Sequence, residues 1–302
     1  MRIGIFGGLA ATGSIDDVVA DVRTAEEQGF HAYWVPQIFG YDALTLLAVV
    51  GRETERIELG TSVIPTYPRH PAMLAAQALT TQQACGGRLT LGIGLSHQPV
   101  IEHMFGMSFD KPVRHLREYL DILMPLVDGK PANADGETLS AHLALDVPAP
   151  QPVPVQVAAL GPQMLKLAGA RTAGTILWMT GPQTIADHTV PTLRAAAEDA
   201  GNPEPHVTAG VPVCVTDDVD GTRARAAKVY AVYGQLPSYR AMLDREGLEG
   251  PADLPIIGDE DTVRERVAAF ADAGVTDLAA SEFGSTDEER SRTRDLLRSL
   301  LP

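Results

Sequence analysis

The chain has 302 residues, of which 45% are hydrophobic, and its 39 acidic side chains outnumber the 24 basic ones. The formal charge of -15 argues against nucleic acid as a partner, because such a surface would repel phosphates. No apolar run reaches membrane-spanning length and the N-terminus lacks a signal-peptide pattern, so we expect a cytoplasmic protein without a membrane partner. Neither a CxxC nor an HExxH motif is present, and no metal site is predicted.

Strand-like and helix-like patterns alternate along the chain. The first strand is predicted at 2–6 and the first helix at 15–28, with Ser14 as its cap and Gly29 as its end. The later strands are predicted at 31–35, 57–64, 88–94, 154–159, 174–179, 207–215 and 276–280. The later helices are predicted at 42–53, 71–84, 114–126, 162–170, 184–200, 218–233, 261–273 and 286–300.

Eight strand–helix units in one chain predict a closed (β/α)8 barrel, a TIM barrel, as a single domain over residues 1–302. A helix between two strands returns the chain in the same direction, so the strands are parallel. Eight such units favour a barrel over an open sheet. Two segments interrupt the alternation: we expect an excursion on the outside of the fold near 127–153 and a second excursion, within the last unit, near 234–257.

The stretch ELGTSVIPTYPRHP (58–71) ends the third predicted strand in an unusual way. Val63 and Ile64 suit a buried strand, but prolines follow at once, and proline cannot donate to a sheet ladder. We therefore expect the strand to stop or bulge here. His70 precedes Pro71 and is either the N-cap of the next helix, a rim side chain or a second catalytic candidate. Arg69 either pairs with an anion or is solvated.

Three further strand ends carry glycine-rich turns. Gly92 and Gly94 in LGIGLSH lack side chains inside a strand, which suits either close approach of another body or simple barrel packing. Gly161 in AALGPQM opens a helix whose free N–H groups suit a phosphate, although a plain turn glycine is the alternative. Thr180 and Gly181 in WMTGP occupy the next strand end.

These four motifs, in this order, resemble the luciferase-like monooxygenase superfamily, and most closely its branch of coenzyme F420-dependent oxidoreductases. The resemblance implies a cis peptide at Ser62–Val63, in a bulge that backs the middle ring of a deazaflavin. It also implies a phosphate site at the turns of Gly161 and Gly181, and FMN is the alternative cofactor. The cofactor-binding candidates are Thr61, Ser62, Val63, Gly94, Ala159, Gly161, Thr180 and Gly181.

The resemblance places His97 where related enzymes have a catalytic acid, so His97 and His70 are the catalytic candidates. An imidazole can exchange a proton near neutral pH, although a loop histidine held by hydrogen bonds is the alternative. After the second strand, Gln37 and Ile38 stand where several relatives carry an acidic residue and a histidine. Gln37 cannot act as a base, which puts oxidation of a hydroxyl group in doubt.

The expected function is hydride transfer between F420 and a small organic substrate with an activated C=C, C=N, carbonyl or alcohol group. An FMN-dependent monooxygenase supplied by a partner reductase is one alternative, and a non-catalytic flavin- or deazaflavin-binding barrel is another. A homodimer is expected from the resemblance, as is a separate F420 or flavin reductase. The identity of the substrate is left open at this point.

Overall fold

The computed structural model of the protein describes residues 1–8, 12–148 and 151–301. Its central strands are β1 (Arg2–Phe6), β2 (Ala32–Val35), β3 (Glu58–Thr61), β4 (Leu89–Gly94), β5 (Val155–Val157), β6 (Gly174–Trp178), β7 (His206–Val215) and β8 (Asp277–Glu282). Each strand pairs in parallel with the next one along the chain, and β8 pairs in parallel with β1. The sheet is therefore closed, and the predicted (β/α)8 barrel is confirmed.

Helices connect the strands around the outside of the barrel. They are α1 (Ile15–Glu27), α2 (Ala43–Arg52), α3 (Pro71–Ala84), α4 (Pro112–Val127), α5 (Pro162–Arg171), α6 (Val190–Asp199), α7 (Val219–Val229), α8 (Pro237–Glu246), α9 (Glu260–Asp272) and α10 (Asp287–Ser299). Helix α6 continues without a break from Pro182–Thr184 and a π-helical turn at Ile185–Thr189. Ser14 and Asp17 form the capping box that begins α1. Within the described part of the chain, none of the helices is both long and apolar enough to cross a membrane.

The first predicted excursion contains an antiparallel hairpin, Ala132–Asp135 with Ser140–Leu143, which lies outside the barrel sheet. The buried carboxylate of Glu118 on α4 accepts backbone hydrogen bonds from Glu137, Thr138 and Leu139, at 2.9 to 3.0 Å. These bonds attach the turn of the hairpin to the outer helix layer. Residues 149–150, which belong to the predicted excursion, lie outside the described residues.

The second predicted excursion lies between α7 and α9. It contains a 3-10 helix at Ala231–Gln235, the helix α8 and a short strand at Ile256–Gly258 that pairs in parallel with β7. Apolar side chains of this segment form a cluster with Met179 and Trp178 at the end of β6. The excursion is therefore packed against the C-terminal end of the barrel, which is where active sites of this fold lie.

Two indole rings, from Trp34 and Trp178, pack near the C-terminal ends of the strands β2 and β6. Trp34 lies opposite Gly60 on β3, and a Cβ atom on Gly60 would come within 2.3 Å of the indole. Trp178 lies opposite Gly210 on β7, where a Cβ atom would come within 2.9 Å of the ring. Glycine is therefore required at both positions because neighbouring side chains occupy the space. The partly buried Phe6, Val63 and Ala158 pack on the core around Trp34. We call these three residues the floor of the site.

At the opposite, N-terminal end of the strands, a buried acid is held by several donors. The side chain of Asp277 is bonded to Arg2 Nε at 2.6 Å, to the hydroxyl of Thr276 at 2.7 Å and to His206 Nδ1 at 3.3 Å. Burial alone would raise the pKa of Asp277, but hydrogen bonds from His206, Arg2 and Thr276 and the charge of Arg2 lower it to about 2. This network joins the beginnings of β1, β7 and β8.

Candidate active site

The end of β3 contains the predicted bulge. Gly60 pairs with Thr90, and the next paired residues are Ile64 with Ile93, followed by Pro65 with Gly94. Three residues on the β3 side thus face two on the β4 side, which defines a β-bulge. The Ser62–Val63 peptide bond within it is cis, as the family resemblance implied.

The hydroxyl of Thr61 holds this bulge to β4. It donates to the carbonyl of Gly92 at 2.8 Å and accepts the N–H of the same residue at 2.9 Å. Thr61 is completely buried. The hydroxyl of Thr61 is therefore engaged in hydrogen bonds between β3 and β4. Contact between Thr61 and a cofactor stays a prediction.

Gly94 on β4 lies against two residues of the floor, Val63 and Ala158. A Cβ atom at this position would lie 2.8 Å from Cγ2 of Val63 and 3.0 Å from Cβ of Ala158. The space that the missing side chain leaves is therefore taken by these two floor residues. Of the two explanations for this glycine, packing within the barrel is the one that the contacts support.

His97 follows β4 and stands at the edge of the floor. Ser96 before it has a φ of 62°, in the left-handed region, which turns the chain out of the strand. The His97 ring is half-buried and meets Tyr233 and Tyr239 edge to face, with centroids 6.3 and 5.9 Å apart. Burial lowers the pKa of His97 below its usual value. The neutral imidazole is therefore the main form at pH 7.

Aromatic side chains continue from His97 across this end of the barrel. Tyr230 lies 6.3 Å from Tyr233 and from Trp178, measured between ring centroids, and Trp178 lies 4.9 Å from Phe6. We call Trp178, Tyr230, Tyr233 and Tyr239 the aromatic wall. It leads from the end of β4 to the ends of β6 and β1.

Sequence reasoning missed the three tyrosines of the aromatic wall because their segment was interpreted as the end of a helix and an excursion. A signal was present, since three of the seven tyrosines of the chain occur between residues 230 and 239. Their function depends on where that segment packs, which the local pattern does not reveal.

The second catalytic candidate, His70, is the N-cap of α3. Its Nδ1 accepts the N–H of Ala72 at 3.2 Å, and the side chain is otherwise exposed. The neighbouring Arg69 pairs with Asp42, the N-cap residue of α2, and donates to Gln77. The side-chain oxygen of Gln37 accepts a hydrogen bond from the N–H of Ala43, the first residue of α2, at 2.7 Å. The capping alternative for His70 is observed, and its catalytic role stays a prediction.

The two predicted phosphate turns differ in the structure. Gly161 is the N-cap of α5 and has ordinary extended dihedral angles, and a Cβ atom there would meet no atom within 4 Å. No side chain caps this helix, and Pro162 at its first position has no N–H group, so the first N–H groups that a ligand could use are those of Gln163 and Met164. Ala159, two residues earlier, is buried at the end of β5.

The turn of Thr180 and Gly181 is covered by α8 instead. The hydroxyl of Thr180 donates to the sulfur of Met242 at 3.2 Å, and a Cβ atom on Gly181 would lie 2.3 Å from the carboxyl group of Glu246. Glu246 also accepts the N–H of Thr184. A carboxylate of the chain itself therefore occupies this helix beginning, and phosphate binding by Thr180 and Gly181 stays a prediction.

Comparison with known proteins gives a consistent group of relatives. Residues 1–277 match the sequence profile of the luciferase-like monooxygenase family. The chain is 27% identical over 280 residues to the 5,10-methylenetetrahydromethanopterin reductase of Methanolobus tindarius, which covers 91% of this chain and 85% of that protein.

Two solved structures share the fold over the whole chain. The coenzyme F420-dependent tetrahydromethanopterin reductase of Methanopyrus kandleri superposes with a TM-score of 0.83 at 22% identity, covering 100% of this chain and 99% of the other. An F420-dependent secondary alcohol dehydrogenase superposes with a TM-score of 0.82 at 18% identity, covering 100% and 98%.

Proposed function

Since the chain belongs to the luciferase-like monooxygenase family, we propose that it is an oxidoreductase that transfers hydride between coenzyme F420 and a small organic substrate. The proposal is supported by the F420-dependent enzymes that share its fold. The observation that carries it is the pairing of the apolar floor at Val63 and Ala158 with the uncovered beginning of α5 at Gly161.

The residues present fit a cofactor that has a flat ring and a phosphate. The floor offers apolar contact to a ring, and it is only partly buried by the protein itself. The free N–H groups and the positive end of the dipole of α5 suit a phosphate beside Gly161. When bound, the deazaflavin supplies the hydride chemistry, and the protein supplies position and proton transfer.

His97 is the residue that we assign to proton transfer. It stands beside the floor on a half-buried loop, and the aromatic wall shields one side of its ring from water. During reduction of a C=C, C=N or carbonyl group, His97 donates the proton that the substrate needs. Gln37 is engaged in capping α2, so the β2 loop contributes no base at this position, and reduction is the favoured direction.

Separate titrations of the purified protein with F420 and with FMN test the choice of cofactor. We expect the tighter binding for F420, measured by the change in cofactor fluorescence, and hydride transfer from reduced F420 without oxygen. Tighter binding of FMN together with oxygen-dependent turnover would overturn the proposal in favour of a monooxygenase.

The variant Gly161→Asp tests the phosphate position directly. Aspartate is a favourable N-cap residue and the site has room for it, so the free energy of unfolding should be unchanged or slightly higher. Its charge should nevertheless weaken the binding of F420 by about ten-fold, because it occupies the position proposed for the phosphate. The matched control is Gly161→Ser, which also caps the helix but carries no charge. Equal affinities of the two variants would contradict phosphate binding at this turn.

A further inference from the structure

Large apolar side chains are exposed around the site, on three different connections. They are Ile38 and Phe39 (each 66% exposed) after β2, Met104 (65%) and Phe105 (41%) after β4, and Val232 (55%) in the second excursion. We call these five residues the apolar rim. Single exposed apolar residues are normal on a protein surface, but a group of them at one end of the barrel indicates a binding surface.

One contact between aromatic rings joins two of the three connections. The rings of Phe39 and Phe105 lie 6.2 Å apart between centroids and so join the β2 connection to the β4 connection. His97 precedes Phe105 on the same connection and faces the aromatic wall. Phe105 thus lies on the same connection as His97, and Val232 precedes Tyr233 of the aromatic wall.

Three arginines at this end of the barrel are engaged by acceptors of the protein itself. Arg69 pairs with Asp42, and Arg225 donates to the carbonyl of Phe283 while its guanidinium lies 4.5 Å from the centre of that ring. Arg240 pairs with Asp244 at 2.8 Å and donates to the carbonyl of Leu248. An anionic substrate that bound to one of these three guanidinium groups would have to displace the acceptor that it now has.

We infer that the substrate is an uncharged, largely apolar molecule that carries a polarised double bond. The inference rests on the proposed function and adds the substrate class to it. Ring stacking and apolar contact with the aromatic wall and the rim would hold such a molecule over the floor. The substrate gains one hydride, with its two electrons, from the reduced cofactor and one proton from His97. The double bond thereby becomes a single bond, and the cofactor is oxidised.

A matched pair of ligands tests the inference without the cofactor. Benzylideneacetone and cinnamate share the phenyl ring and the conjugated C=C bond, but only cinnamate is charged at pH 7. In calorimetric titrations of the full-length protein we expect benzylideneacetone to bind at least ten-fold more tightly than cinnamate. Equal or tighter binding of cinnamate, or of glucose 6-phosphate as a third ligand, would overturn the inference, and so would the absence of binding by benzylideneacetone.

Variants of the rim separate specific binding from general stickiness. The double variant Phe39→Ser with Phe105→Ser should lower the affinity for benzylideneacetone about ten-fold. Both side chains are exposed, so the thermal stability should change little. The control is Val49→Ser, which removes an exposed apolar side chain from α2, and its affinity should equal that of the unaltered protein. Equal affinities of the double variant and the control would place the ligand elsewhere.

Different results would contradict the proposed function and the inference about the substrate. If the proposed function is wrong, the cofactor titrations will show tighter binding of FMN than of F420, independently of the result with benzylideneacetone and cinnamate. If the inference about the substrate is wrong, the protein will bind the charged ligands as tightly or more tightly, or the rim variants will not change the affinity for benzylideneacetone, independently of which cofactor is bound.

Discussion

The side-chain carboxylate of Glu246 accepts a hydrogen bond from the backbone N–H of Thr184. It thus brings a negative charge from the end of α8 to the beginning of the helical segment that follows β6. A carboxylate is stabilised there by the helix dipole, as a phosphate would be. Of two neighbouring turns that resemble anion sites, one is open at Gly161 and one is covered by the chain.

Replacing Glu246 by glutamine should tighten the binding of a cofactor that carries a phosphate. The amide can still accept the Thr184 N–H but no longer repels an anion near the two turns. We expect a two- to five-fold gain in affinity, about 0.5–1 kcal/mol, measured in the same fluorescence titration. Glu249→Gln removes a charge from an exposed position in the same segment and should leave the affinity unchanged. An unchanged affinity in Glu246→Gln would show that its carboxylate does not compete with the phosphate.

Replacing Thr61 by valine should destabilise the protein. The substitution keeps the shape of the side chain but leaves the N–H and the carbonyl of Gly92 buried without the bonds that they make to the hydroxyl. The expected loss is about 2–4 kcal/mol in the free energy of unfolding, measured by urea denaturation. Thr61→Ser keeps the hydroxyl and should lose much less. If valine and serine cost the same, the two hydrogen bonds are not the source of the stability.

Replacing His97 by glutamine should reduce turnover without weakening cofactor binding. Glutamine can hydrogen-bond but cannot deliver a proton, so kcat for substrate reduction should fall about 10²–10³-fold while the affinity for F420 stays within two-fold. In the unaltered enzyme, kcat should rise as the pH falls through the pKa of His97, which burial holds below 6.5. This rise should be absent from the pH profile of the variant. Retention of both turnover and pH profile would exclude His97 as the donor.

Replacing Asp277 by asparagine should remove part of the acid sensitivity of the fold. The pKa of Asp277 is lowered from 3.8 to about 2 in the folded protein, so its stabilisation is present above pH 4 and is lost as the pH falls from 3.8 towards 2. The contribution is about 2 kcal/mol for this buried group. Urea denaturation should therefore show a stability difference between the two proteins at pH 7 that narrows by pH 2.5. A difference that stays constant would contradict the assigned pKa.

The alternation of strands and helices, and several of their ends, followed from the sequence because they depend on local chemistry. Ser14 begins α1 with its own hydroxyl, and His70 with Pro71 begins α3, as residues next to each other along the chain. The bulge after β3 followed from Pro65, which cannot donate to the ladder wherever the strand lies. Such features need only neighbours within a few positions.

The composition of the site was decided by tertiary packing. Thr184 and Glu246 are 62 positions apart, and Thr61 and Gly92 are 31 apart, so no local pattern indicates that they meet. The same holds for the aromatic wall beside His97, which exists only because the second excursion folds back over the barrel. Local hydrogen bonding and periodicity determine where a helix or strand begins and ends. Whether a turn is covered or left open depends on how segments distant in the sequence pack in the tertiary structure.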